Sequence, residues 1–371
     1  MRIFKIHASP KSHKPDYLLI SAVLILTIAG LVILASASSE LSIKLGNSYY
    51  YLEHQILFGF SFGLAGFLLA YFIPYKNYKP ISFAFLLFSI ILLALVFTKF
   101  GVVAGGASRW VKIGPAAFQP AEIVKLSFIL YLAAWLSNAK MNRSADFWTG
   151  FMPFILISGF IATLLLLQPA TSTVMILMGT GMVMYFISGA KLTHIAVVIL
   201  AGLAILSLII LMTPYRLQRI ATFFNHQTNT SGASYQINQS LIAIGSGGIF
   251  GVGYGRSTSK EGYLPDPVDD SIFAVAAEEL GFVGAGVLII LFGILVFRSF
   301  WLARKMRDKF GQLILVGFGS LIAFQSLVNM GAISGLMPLT GVPLPFISYG
   351  GTALAVFMTL SGIAINVSKY K

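Results

Sequence analysis

Long runs of apolar residues, each close to the length of a membrane-crossing helix, recur along the whole chain and restrict its fold more than any other feature. A helix needs about 20 mostly apolar residues to cross a bilayer. Cutting the sequence at Pro, Gly, Asn and charged residues leaves about ten such runs, at residues 17–35, 54–73, 81–98, 121–136, 147–167, 172–187, 195–212, 271–297, 313–333 and 348–367. The pattern predicts an all-α polytopic membrane protein, a bundle of about ten transmembrane helices forming a single integral-membrane domain over residues 1–371. Composition agrees: only 10% of residues are charged and 57% are hydrophobic, whereas soluble domains carry roughly 25% charged residues.

The net charge of +13 raises the question of nucleic acid, but membrane topology accounts for it. With the N-terminus inside, 16 of the 25 Lys and Arg fall on inner segments and 8 on outer ones, with Lys125 inside a span. That is the asymmetry that orients helical membrane proteins. Both termini are therefore expected in the cytoplasm, and no nucleic-acid partner is implied. The segment "LVILASASSE" has the small-residue pattern of a signal-peptidase site, but the apolar run before it is long and further runs follow, so an uncleaved first span is expected. The chain has no Cys and 5 scattered His, which removes thiolate chemistry and a structural zinc site from consideration.

On this topology residues 1–16 and 298–311 are cytoplasmic, and residues 99–120 and 214–270 form extracytoplasmic loops. The second of these, between helices 7 and 8, is the longest polar interval of the chain. Long loops that keep aromatic and apolar residues point to function, so the outer face is the expected location of a site. Internal repeats of the kind seen in many secondary transporters are not evident, which argues mildly against transport.

Of the 12 Asp and Glu residues, Asp266, Asp269, Asp270, Glu278 and Glu279 crowd into "LPDPVDDSIFAVAAEELGF". Asp269 and Asp270 stand immediately before the eighth span. Either could cap the free N–H groups of that helix, or act as a general base beside a membrane cavity. Glu278 and Glu279 lie two turns deeper, where at least one must be paired or protonated. In "QPAEIVKL", Glu122 and Lys125 are spaced i and i+3 on one helix face; they read either as a self-neutralising pair sealing the bundle or as charged groups facing a polar cavity. The run "IGSGGIFGVGYG" has glycine spacings reminiscent of dinucleotide sites and potassium filters but lacks the context of either; a tightly turned loop near the bilayer fits better. Arg109 with Trp110, and Arg216 with Arg219, place cations on the same outer side, where Arg suits either lipid phosphate or bidentate recognition of pyrophosphate.

The blocks "GASRWVKIGPAAFQPAEIVKL", "YQINQSLIAIGSGGIFGVGYG", "LPDPVDDSIFAVAAEELGF" and "NMGAISGLMPLTGVPLPFISYGG" occur in the order found in the SEDS family of shape, elongation, division and sporulation proteins, which includes FtsW, RodA and SpoVE. The chain resembles that family over nearly its whole length. The "PLTGVPLPFISYGG" block and the residues before "SIFAVAAEELGF" lean toward FtsW, the division member, over RodA, the elongation member.

The resemblance implies an integral-membrane peptidoglycan glycosyltransferase of the inner membrane. Such an enzyme polymerises lipid II into glycan strands at the outer face and releases undecaprenyl pyrophosphate. It implies Asp270 as the catalytic carboxylate and puts the family's Arg-Trp and Glu and Lys positions on Arg109, Trp110, Glu122 and Lys125; Arg216, Arg219, Gln239 and Ser348 complete the expected substrate-binding positions. A divalent cation, magnesium or manganese, is a candidate aid to the leaving pyrophosphate, with unknown ligands, and no organic cofactor is implied. Expected partners are lipid II, the nascent glycan strand, a class B penicillin-binding protein and membrane proteins of a division or elongation complex. Two departures matter: Ala170 stands in "QPATST" where the family commonly has Asp, and Asp269-Asp270-Ser271 replaces the usual Thr-Asp-Phe, so Asp269 competes for the role of base. The competing readings are a lipid II transporter and a noncatalytic scaffold for a penicillin-binding protein.

Overall fold

A computed structural model describes residues 13–104, 107–113, 116–138, 146–213, 217, 223 and 232–371. Arg216 and Arg219 lie outside the described residues. Eight helices among those described are long and apolar enough to cross a membrane: α1 (Tyr17–Ala37), α3 (Tyr50–Phe72), α4 (Tyr75–Leu95), α6 (Phe147–Leu167), α8 (Leu192–Met212), α10 (Ile272–Lys305), α11 (Lys309–Ile333) and α12 (Gly351–Ser368). The protein is therefore a multi-pass membrane protein. Two helices of 17 residues, α5 (Pro120–Leu136) and α7 (Thr171–Ile187), occupy the remaining apolar runs. A short α2 (Ser39–Lys44) follows α1, and α9 (Ala233–Ser246) lies within the long polar interval before α10.

The centre of the bundle is α11 and α12, each 78% buried over its most apolar stretch, whereas α8 is 0% buried and stands at the periphery. Close approach of α3 and α12 is set by small residues. Gly59 and Gly63 form a G-x-x-x-G step on α3, and a β-carbon at Gly63 would come within 2.6 Å of Met358. One at Gly362 would come within 2.5 Å of the Phe67 carbonyl. With little hydrophobic gain to be had between helices in lipid, such backbone proximity supplies the van der Waals contact that holds them together.

Structure adds three features to the sequence reading. The 99–120 loop folds as a small antiparallel sheet in the order β1 (Gly101–Ala104), β2 (Ala107–Ile113), β3 (Ala116–Phe118), with a bulge between Val102 and Val103. Much of the segment expected as a 298–311 loop is helical, because α10 runs on to Lys305 and α11 starts at Lys309, where Asp308 caps it by accepting from the Gly311 N–H at 3.1 Å. Third, α10 is broken at Gly281, whose backbone (φ 69°, ψ −170°) is not helical.

The break explains the glycine-rich run. Residues 247–255 insert into it and complete the interrupted backbone bonding: the N–H groups of Val252 and Gly253 donate to the carbonyls of Glu278 and Glu279 (3.0 and 3.1 Å), and those of Phe282 and Val283 donate to Gly248 and Ile249 (2.9 and 3.1 Å). Non-helical backbone at membrane depth is tolerated where protein satisfies it. The insertion brings the chains so close that a β-carbon at Gly251 would sit 2.1 Å from the Glu279 carbonyl oxygen.

Candidate active site

The carboxylates Asp266, Asp269 and Asp270 lie on a tight turn that enters α10. The N–H groups of Asp269 and Ser271 both donate to the Asp266 carbonyl at 3.2 Å, with Asp266 itself at φ 47°. Ser271 occupies the capping position of α10 and makes no side-chain capping bond. The turn is clamped from outside. Ser348 Oγ donates to the Asp269 carbonyl (2.6 Å) and accepts from the Leu344 N–H (2.8 Å), and the Tyr349 N–H donates to the Val268 carbonyl (2.9 Å).

From α11, Asn329 Nδ2 donates both to the Asp270 carbonyl (2.9 Å) and to the Val342 carbonyl (2.8 Å). From α9, Gln236 Nε2 donates to Ser271 Oγ at 3.0 Å. Asp270 thus sits on a backbone fixed by three other elements, and it lines a small polar cavity of about 20 Å³ with Gln236, Asn329, Thr340 and Gly341. Gly341 has φ 66°, and a β-carbon there would stand 3.4 Å from Asp270 Oδ2. Protein packs closely around Asp269, although part of its surface is accessible. That burial, with the negative charges of Asp270 and Asp266 adding to it, pushes its carboxyl up from 3.8 to about 7.

The Glu122 and Lys125 pair is buried at 2% and 1% exposure, with Lys125 Nζ 2.6 Å from Glu122 Oε1. Lys125 also donates to Gln325 Oε1 (2.8 Å), whose Nε2 donates to the Pro343 carbonyl (2.9 Å). The pair therefore joins the site through the same 342–348 loop that clamps Asp269, and does not line the Asp270 cavity. Arg109 on β2 donates from Nε to the Gln168 carbonyl (3.2 Å) and from Nη2 to the Pro169 carbonyl (2.6 Å), which fixes the sheet against the start of α7. Trp110, next to it, is half-buried, as is Gln239, one turn on from Gln236 along α9.

Glu278 and Glu279 are both partnered. Glu279 Oε1 takes Lys260 Nζ at 2.8 Å and the Ser36 hydroxyl, and Glu278 accepts from Ser257, Thr258 and Ser259. They hold the 255–260 loop against α1 and α10, so the acidic stretch divides into a pinning half and a cavity half. Sequence reading did not single out Gln236, Gln325 or Asn329. The last two are amide side chains one helical turn apart within an apolar span, and that spacing at membrane depth is a signal of a polar cluster.

Fold and site together define a multi-pass helical membrane protein with an anchored carboxylate at the end of a broken helix. The profile of the FtsW/RodA/SpoVE family, described as cell cycle protein, matches residues 16–371. Stage V sporulation protein E of Bacillus subtilis is 36% identical over 364 residues, covering 97% of this chain and 98% of that protein. The probable peptidoglycan glycosyltransferase FtsW of the same organism is 39% identical over 367 residues, covering 96% and 91%. Among solved structures, a chain of a peptidoglycan synthase complex that coordinates polymerization and crosslinking superposes with a TM-score of 0.80 at 27% identity, covering 95% of this chain and 97% of that one. Thermus thermophilus RodA does so with 0.71 at 29%, covering 96% and 98%. The chain belongs to the FtsW/RodA/SpoVE family.

Proposed function

We propose that this protein polymerises lipid II into peptidoglycan glycan strands, with Asp270 as the general base, at the outer face of the inner membrane. The observation that carries the assignment is the anchoring of Asp270: its carbonyl is held by Asn329, the next residue by Gln236, and its carboxylate lines a polar cavity. A base must be fixed before it can take a proton in the transition state, an effect worth about 10²–10⁴ in rate. Of the two adjacent acids, Asp270 is the one that lines the polar cavity with Gln236 and Asn329, which makes it the better candidate for the base.

In the proposed step the acceptor sugar hydroxyl gives its proton to Asp270 as its oxygen bonds to the anomeric carbon of the donor. The bond from that carbon to the donor's phosphate oxygen breaks, and undecaprenyl pyrophosphate leaves with the electron pair. Asp270 then returns its proton to water. Lys125 is committed to Glu122 and Gln325 and Arg109 to the Gln168 and Pro169 carbonyls, which makes Arg216 and Arg219 the first cations to test for the leaving group. Trp110, Gln239 and Ser348 would complete the walls and framework around the substrate.

A divalent ion fits this donor set in one way. Among the described residues no three His, Asp or Glu side chains converge to form a cage, but magnesium commonly takes one or two carboxylates together with substrate phosphate oxygens. Asp269 would be its protein ligand, leaving Asp270 for the proton, and the ion would neutralise charge on the leaving pyrophosphate.

In this arrangement α5 and α7 complete ten spans, both termini are cytoplasmic, and the sheet and the 214–270 interval face outward. The similarity to a chain of a peptidoglycan synthase complex supports a class B penicillin-binding protein as partner within a division or elongation assembly. The test is a reconstitution in liposomes with fluorescent lipid II, with and without such a partner, reading both polymer length and lipid II translocation. Polymer formation by the protein is expected; translocation without polymer, under conditions where the partner is present, would replace this reading with transport.

A further inference from the structure

At the far end of α10 from Asp270, three cations gather on one indole ring. Arg298 Cζ lies 4.0 Å from the Trp301 ring centre, Lys305 Nζ 3.5 Å and Lys371 Nζ 5.9 Å. Asp16 is the carboxylate among them: Arg298 binds it through both Nε (3.0 Å) and Nη2 (2.7 Å), and Lys371 reaches its Oδ2 at 3.2 Å. Asp16 in turn caps α1 through the Leu19 N–H and receives none of its contacts from Lys305. Three basic side chains against one side-chain carboxylate leave this corner with an excess of side-chain cations, whose mutual repulsion a further anion would relieve. Arg298 and Lys371 keep 27% of their side chains accessible, and Lys305 and Trp301 are exposed.

The surroundings narrow the class of that anion. Trp301 lies where α1, α10 and α12 meet, and the helix surfaces beside it are apolar and open: Phe297 is 79% exposed and Tyr17 65%. An indole flanked by cations above an exposed apolar face matches the depth of the membrane interface. Basic pockets between helices at the cytoplasmic side are suited to acidic headgroups. We propose that Arg298, Lys305, Lys371 and Trp301 form a binding site for the phosphate headgroup of an anionic membrane phospholipid, with the acyl chains lying against Tyr17 and Phe297. The site is remote from the Asp270 cavity and does not depend on the assignment of the catalytic base.

The test uses the full-length protein in nanodiscs of equal parts phosphatidylglycerol and phosphatidylcholine, followed by native mass spectrometry of the lipids retained. Wild type is expected to retain phosphatidylglycerol in preference to phosphatidylcholine. Lys305→Gln is expected to lower that retention about fivefold, the ratio equivalent to about 1 kcal/mol per cation at an anionic surface. Lys305→Arg should restore it, and Lys191→Gln, at an exposed Lys on another inner segment, should leave it unchanged. Equal retention of the two lipids by wild type would overturn the proposal, and so would equal losses in Lys305→Gln and Lys191→Gln, which would mean a diffuse field. Displacement of the lipid by inorganic phosphate would also overturn it, in favour of a site for a soluble anion.

Discussion

Replacement of Gly281 by Ala is the substitution that most sharply tests how α10 is built. Its backbone lies at φ 69° and ψ −170°, a region essentially confined to glycine, and holding another residue there costs about 1–3 kcal/mol. A β-carbon would also stand 2.2 Å from the Gly251 nitrogen and 2.6 Å from the Ile249 carbonyl oxygen. Those atoms belong to backbone that is itself hydrogen-bonded into the break, so they cannot rotate aside, and overpacking of this kind adds about 1–3 kcal/mol. Together the expected loss is about 2–6 kcal/mol. In thermal unfolding of the detergent-solubilised protein this should appear as a fall in Tm of about 3–8 °C. Polymerisation should fall with it, since the same insertion sets the path of the chain that leads to Asp270. Gly286→Ala supplies the control: it lies in the same helix with nothing within 4 Å of its added carbon, and should be neutral or stabilising by up to about 1 kcal/mol. Equal melting of the two variants would refute the claim that the glycine-rich loop and the break hold one another.

Asp269 should leave a signature in pH. Its carboxyl is raised from 3.8 to about 7 in the folded protein, so the folded state binds more protons than the unfolded one between those values and loses stability as pH rises through that window. Asp269→Asn should therefore gain Tm relative to wild type between about pH 4 and pH 7, and a constant difference would contradict the assigned burial. Lys260→Met strands the buried Glu279 carboxylate, a loss of about 3–5 kcal/mol; Lys260→Met with Glu279→Gln should recover part of it in the same melting assay, and a double variant no better than the single would sink the ion-pair account. Asn329→Ala removes a side-chain donor from the Asp270 and Val342 carbonyls, at up to about 1–3 kcal/mol each. It should lower kcat for lipid II more than it raises KM, whereas unchanged kcat would remove Asn329 from any positioning role.

The spans and the acidic stretch were legible in sequence because each is a local property: apolar run length on one side, rare charges on the other. Glu122 and Lys125 were legible as a pair for the same reason, being one turn apart on a single helix. What the sequence could not place were partners far along the chain. The glycine run read as a tight turn, but nothing local indicates that it closes a break at Gly281, about 30 residues away, since the bonding is between backbones. Asn329 and Gln325 act on the carbonyls of residues 342 and 343 and on Asp270, contacts set by how α11 packs and not by any motif. Arg109 looked like an anion ligand by residue type, yet its guanidinium donates to the Gln168 and Pro169 carbonyls, a use of Arg that composition does not distinguish from phosphate binding. The α9 helix was hidden in the long polar interval because its polar, small-residue surface lacks the apolar length that marked the spans.

The central claim is that Asp270 is the base for glycan polymerisation, and it is tested most directly by single-turnover polymerisation of lipid II by the purified protein with its penicillin-binding partner. Wild type would be compared with Asp270→Asn and Asp269→Asn at matched Tm. The account predicts a rate loss of about 10²–10⁴ for Asp270→Asn and a much smaller effect for Asp269→Asn. A folded Asp270→Asn variant that elongates strands at the wild-type rate, or a loss confined to Asp269→Asn, would contradict it.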